Sequence, residues 1–146
     1  MGLRAGAPNV TASDEKLDGF GWLFMILGVG MLANALWMLA GPMHWYYEIP
    51  AGVPDTGPFN PHFVRDIGCA FTMLGVGLAI AAVLPAWRVP ALAAVTGFYL
   101  LHALVHVLDT IRGLVGHEHW MIDVPGVYAP ALILLTLTVW VAKTGR

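Results

Sequence analysis

The third long apolar stretch of the chain carries His102, His106 and Asp109 at spacing i, i+4 and i+7. On a helix of 3.6 residues per turn these lie on one stripe, with His102 roughly 10 Å below Asp109. Two imidazoles one turn apart can converge on a single Zn, Fe or Cu ion, with a carboxylate completing the set. The preceding stretch opens with Asn60, His62, Arg65 and Asp66, continued along nearly the same helix face by Cys69 and Met73. With the two stretches antiparallel, Asp66 reaches about the depth of His106, and the two polar stripes are expected to face each other. The expected metal set is His102, His106, Asp109 and Asp66; a cofactor or small-ligand site adds His62 and Arg65.

Three chemistries fit such a cluster. A metal ion on His102 and His106 is the first. A haem is the second and less favoured, because its axial ligands must come from opposite faces, for example His62 and His102; an i, i+4 pair cannot clamp one haem from both sides. The third is a hydrogen-bonded network in which Arg65 pairs with Asp66 or Asp109 and the histidines are satisfied by Asn34, Tyr99, Tyr128 or water. Such a network fixes helix register, and inside a membrane it also suits a proton path or the floor of a small-molecule pocket.

Other signals are weaker. His117-Glu118-His119 reads as solvated loop polarity, and Met43-His44 and Met121 as ordinary filler in preference to copper ligands. Cys69 is most simply a small apolar side chain, and as the only cysteine it excludes a disulfide scaffold. No Gly-rich phosphate loop, nucleophile elbow, Cys pair or His-Glu-x-x-His is present, so familiar hydrolase and nucleotide chemistry is unsupported.

The elements that must position these residues follow from composition. In 146 residues, apolar types make up 58% and charged types only 11%, against about 25% in a soluble domain. An ordinary soluble enzyme is excluded. So is a nucleic-acid binder, since 7 basic against 9 acidic residues leave a net charge of -2 and no basic run. The charges are spaced so that four stretches of roughly 20 residues can each cross about 30 Å of hydrocarbon. The expected fold is therefore all-α, a four-helix transmembrane bundle with spans near 20–40, 61–84, 90–109 and 125–143, preceded by an N-terminal segment 1–19 and followed by a tail 144–146. Acidic residues before the first span and the absence of a cleavage site argue for an uncleaved anchor over a signal peptide.

Arg4, Lys16, Arg88, Lys143 and Arg146 fall at one end of these spans, which places both termini in the cytoplasm and the loops 41–60 and 110–123 outside. All six histidines then belong to the outer loops or outer helix halves. Asn60 reads as an N-cap with Pro61 at N1; Pro90 and Pro125 are expected to open the third and fourth spans in the same way, and Pro130 to kink the last. Leu27-Gly28-Val29-Gly30 is echoed by Leu74-Gly75-Val76-Gly77, so the first two spans are expected to touch there. Trp22, Trp45, Tyr46, Tyr47, Trp87 and Trp120 read as an interfacial aromatic belt.

The segment Val53-Pro54-Asp55-Thr56-Gly57-Pro58-Phe59-Asn60-Pro61-His62-Phe63-Val64-Arg65-Asp66-Ile67-Gly68, followed by His102-x-x-x-His106-x-x-Asp109, resembles a family of small bacterial four-span membrane proteins with no established activity. That family is similar to the broader DoxX-like group, whose members include subunits or partners of membrane oxidoreductases. The resemblance implies a bacterial inner-membrane setting and points to Asn60, His62, Arg65, Asp66, His102, His106 and Asp109, without supplying a substrate. The expected function is a membrane protein whose outward His/Asp/Arg cluster binds a metal ion or small ligand, as an accessory or subunit of a redox or transport assembly. A self-contained membrane enzyme and a purely structural subunit are the alternatives. Expected partners are lipid and other membrane subunits or further copies of the chain, with no nucleic acid.

Overall fold

The computed structural model describes residues 17–145. Arg4, Lys16 and Arg146, on which the expected orientation draws, lie outside these, as does nearly all of segment 1–19. Helix α1 (Gly19–Ala40) starts where the Asp18 carboxylate accepts the Gly21 amide at 2.6 Å, one of the donors that a helix start leaves unpaired. A short α2 (Pro42–Glu48) follows almost directly, and a 3-10 turn at Val53–Thr56 interrupts the loop beyond it. Asn60 caps α3 (Pro61–Val83) as expected, its side chain accepting from the His62 and Phe63 amides at 3.1 and 3.2 Å.

The third and fourth spans both start earlier than the sequence expectation, and the third also ends three residues later. Helix α4 runs from Arg88 to Arg112, so Pro90 is its third residue and not its first; an amide there still lacks an intrahelical acceptor, so proline costs nothing. The last span begins at His119, six residues before Pro125. It consists of α5 (His119–Asp123), a π turn (Val124–Tyr128) and α6 (Ala129–Thr144). In the π turn the Ala129 amide bonds to the Val124 carbonyl, five residues back. The wider turn carries the chain past Pro125 and Pro130, each of which lacks a donor and crowds the carbonyl four residues earlier.

Four helical segments are long and apolar enough to cross a membrane, and their outer surfaces are apolar: Ile26, Met73, Leu101 and Leu132 are all more than 60% exposed. The chain is an all-α, multi-pass membrane protein with lipid-contacting faces. Its closest packing joins α1 to α3. A Cβ on Gly28 would stand 2.9 Å from the Gly75 carbonyl oxygen, and one on Gly75 would stand 3.0 Å from that of Gly28. The glycine echo in the two spans is thus a backbone contact. The core cluster includes Phe24, Met31, Leu78, Leu92, Val95, Leu134 and Val141, drawn from all four spans.

At the end of the bundle that carries residues 17 and 145, Arg88 is buried and grips Asp18 with two hydrogen bonds of 2.6 and 2.9 Å. The Arg88 guanidinium, followed by the Gly21 amide, holds the Asp18 carboxyl below the usual aspartate range. Phe20 packs on Trp140 at 5.1 Å between centroids, tying α1 to α6. In mid-bundle Thr96 and Thr138 join α4 to α6 at 2.7 Å. The other end holds the loops and the histidines.

Candidate functional site

At the loop end, α5 turns His119 and Asp123 inward, one helical turn apart, and both are buried to within 1% of fully. His119 Nδ1 lies 3.3 Å from Asp123 Oδ1. The second carboxylate oxygen of Asp123 receives α4, with His106 Nδ1 at 2.7 Å from Oδ2. The far nitrogen of His119, Nε2, stands 3.4 Å from Oδ2 of Asp55 on the 3-10 turn. Asp55 is 60% exposed, so the chain Asp55–His119–Asp123–His106 leads from the protein surface to a buried carboxylate between two rings.

Local backbone chemistry sets this line. Gly52 begins the 3-10 turn with φ 60°, a left-handed conformation in which its carbonyl accepts the Asp55 amide at 3.0 Å. A Cβ on Gly52 would also crowd His119 Cε1 at 3.1 Å. Beyond His106 the line continues as ring contact: the His102 and His106 centroids are 4.6 Å apart, edge to face, and His102 stacks on Phe98. An ionised Asp123 accepts only, so each facing Nδ1 donates to it, and the Nε2 of each ring is the position left to accept or release a further proton. The arrangement suits proton exchange along alternating imidazole and carboxylate groups.

The sequence-derived site divides in two. His102 and His106 are neighbours, as expected, but His62, Arg65 and Asp66 are exposed, with Cys69 and Met73, on a face of α3 turned away from α4. The face that meets α4 carries Phe71, which packs on Phe98 and Tyr99, and a step of about 100° per residue puts His62 and Asp66 on the opposite side. The two stripes therefore do not face each other. His62 and His102 cannot clamp a haem, and Asp66 does not join His102, His106 and Asp109 as a metal set. Among the described residues of one chain, no three His, Cys, Asp or Glu side chains converge as metal ligands.

The expected hydrogen-bond partners are also rearranged. Arg65 donates from Nε to the Leu39 carbonyl at 3.3 Å and does not pair with Asp66 or Asp109. Asn34 accepts from Trp45 Nε1 at 2.9 Å and reaches no histidine. Asp109, half-buried on α4, has no side-chain hydrogen bond or ion pair among the described residues. His62 Nε2 meets only its own helix, 3.4 Å from Asp66 Oδ2.

Sequence reasoning missed Asp123, His119 and Asp55. Reading Pro125 as a helix start placed Asp123 at a loop end and His119 in solvent, whereas the π turn extends the helix through both. The signal available was the spacing: His119 and Asp123 stand i, i+4, as His62 and Asp66 do. The chain matches no protein-family model, and neither a curated protein nor a solved structure is found to match it.

Proposed function

We propose that this membrane protein exchanges protons between the surface of its loop end and the interior of the bundle, as an accessory unit of a redox or transport assembly in the bacterial inner membrane, with the loop end outward. The observation that carries the reading is the buried Asp123 carboxylate held between His106 and His119 while Asp55 opens the line to solvent. An imidazole can take a proton on one nitrogen and release one from the other without turning its ring. A carboxylate between two such rings can take a proton from either. Ionisable groups inside a span mark ion or proton pathways more often than they serve packing alone.

Depth supports the same reading. His102 stands ten residues from the end of α4, about 15 Å into a helix of roughly 37 Å, so the ring pair reaches toward mid-membrane. The line stops there, which fits a module that delivers protons to a partner better than one that conducts across the bilayer alone. Ring 15N spectra of the full-length chain in lipid nanodiscs test this by reporting how fast the His106 N–H exchanges with water. Rapid exchange that is lost in His119→Phe and reduced in Asp55→Ala is expected. The same exchange rate in all three chains overturns the reading.

A further inference from the structure

His62 and Asp66 occupy consecutive turns of α3 with side chains 87% and 59% exposed, and His62 Nε2 is 3.4 Å from Asp66 Oδ2. A separation of 3.4 Å also matches the edge of a coordination tetrahedron, since metal bonds of about 2.1 Å set adjacent ligands about 3.4 Å apart. The face offers one half of such a site, and among the described residues of one chain no further His, Cys, Asp or Glu converges on it. Asp66 lies five residues inside α3, about 7.5 Å from its start, where a carboxylate turned toward hydrocarbon is costly.

We propose that two copies of the chain pair through this face of α3 and hold one divalent cation of the zinc class between them, on His62 and Asp66 of each copy. Both copies cross the membrane in the same direction, so a two-fold axis along the membrane normal brings the four donors to one depth. Two carboxylates and one divalent ion sum to zero, so a cation between the two Asp66 side chains removes their mutual repulsion in the seam. Arg65 keeps its charge nearby, but its Nε donates to the Leu39 carbonyl and it forms no ion pair with Asp66, so the carboxylate oxygens stay open to a metal. Further along the same face Cys69 is small and exposed, and Gly77 has no atom within 4 Å of a Cβ position, which leaves room for close helix approach. This site is separate from the His106–Asp123 line and stands or falls independently of it.

The test uses the full-length chain without a histidine tag, in nanodiscs, with zinc alone as the probe. Native mass spectrometry is expected to show a dimer carrying one zinc per two chains, reverting to monomer with chelator. His62→Ala and Asp66→Asn, both at exposed positions that leave folding intact, are expected to lose the zinc and the dimer together. A short bismaleimide is expected to join Cys69 to Cys69 in the zinc-loaded chain, and not to join Leu101→Cys in a Cys69→Ser background. Zinc bound to monomers, zinc retained by His62→Ala and Asp66→Asn, or monomers at saturating zinc would each overturn the proposal.

Discussion

Asp123 and His106 are 17 positions apart on different helices, yet His106 Nδ1 lies 2.7 Å from Asp123 Oδ2. The same carboxylate also faces His119, so removing it strands two rings, one of them fully buried. Asp123→Ala is therefore expected to destabilise the bundle by about 1–3 kcal/mol, the cost of leaving buried polar partners unsatisfied. Asp123→Asn, which keeps an acceptor, is expected to cost less. Unfolding free energies measured by steric trapping in bicelles give this ordering, and equal losses for the two variants would contradict it.

The two glycines of each echo motif differ in what surrounds them. Gly28 meets the Gly75 backbone, whereas Gly30 and Gly77 have open space where a Cβ would go. Gly28→Ala forces α1 and α3 apart and is expected to cost about 1–3 kcal/mol. Gly30→Ala is expected to change stability by less than about 0.5 kcal/mol, or to raise it slightly through the better helix propensity of alanine. Thermal melting of the two variants side by side decides the point.

The Asp18–Arg88 pair is asymmetric, with Arg88 5% and Asp18 55% exposed. Asp18→Ala leaves a buried guanidinium without its carboxylate, while Arg88→Met leaves an aspartate that water can solvate. Asp18→Ala is expected to lower the melting temperature more. The pair also carries a pH signature: because the folded-state pKa of Asp18 is depressed, its contribution is fully present above the ordinary value of 3.8 and is lost as pH falls through the depressed one. The stability gap between the native chain and Asp18→Asn is expected to narrow only in that acid window. A gap that stays constant down to the acid limit would count against the pairing.

Thr138 donates its hydroxyl to the Leu134 carbonyl at 2.8 Å, so in its 2.7 Å contact with Thr96 it accepts and Thr96 donates. A double-mutant cycle with Thr96→Val and Thr138→Val is expected to give a coupling of about 0.6 kcal/mol, typical of hydrogen bonds between transmembrane helices. No measurable coupling would mean that the contact adds nothing beyond packing.

The sequence made the spans legible because hydrocarbon admits so few solutions: spacing between charges reveals helix number, and the paired glycines of Leu27–Gly30 and Leu74–Gly77 reveal which helices touch. The site was legible only in part. His102 and His106 share a stripe by periodicity alone, and they are neighbours in the fold. Which face of α3 meets α4 depends on packing between Phe71 and Phe98, and nothing in the pattern of His62, Arg65 and Asp66 records it. His119 and Asp123 were hidden by Pro125, whose ordinary meaning as a helix start is overridden by a single widened turn.

That widened turn has a consequence for how the chain tolerates changes in length. A widened turn absorbs one extra residue, so everything upstream keeps the angular phase that a regular helix one residue shorter would give it, whereas winding the same residues as regular α-helix shifts that phase by about 100°. The inward aim of His119 and Asp123 is thus set by the shape of the turn Val124–Tyr128 together with the count of residues before Ala129. Deleting one of those residues while the turn closes to regular α geometry leaves both groups aimed inward. Straightening the turn at full length rotates them away without altering a single polar side chain, so the fidelity of this site rests on one hydrogen-bond register as much as on the identity of its acids and imidazoles.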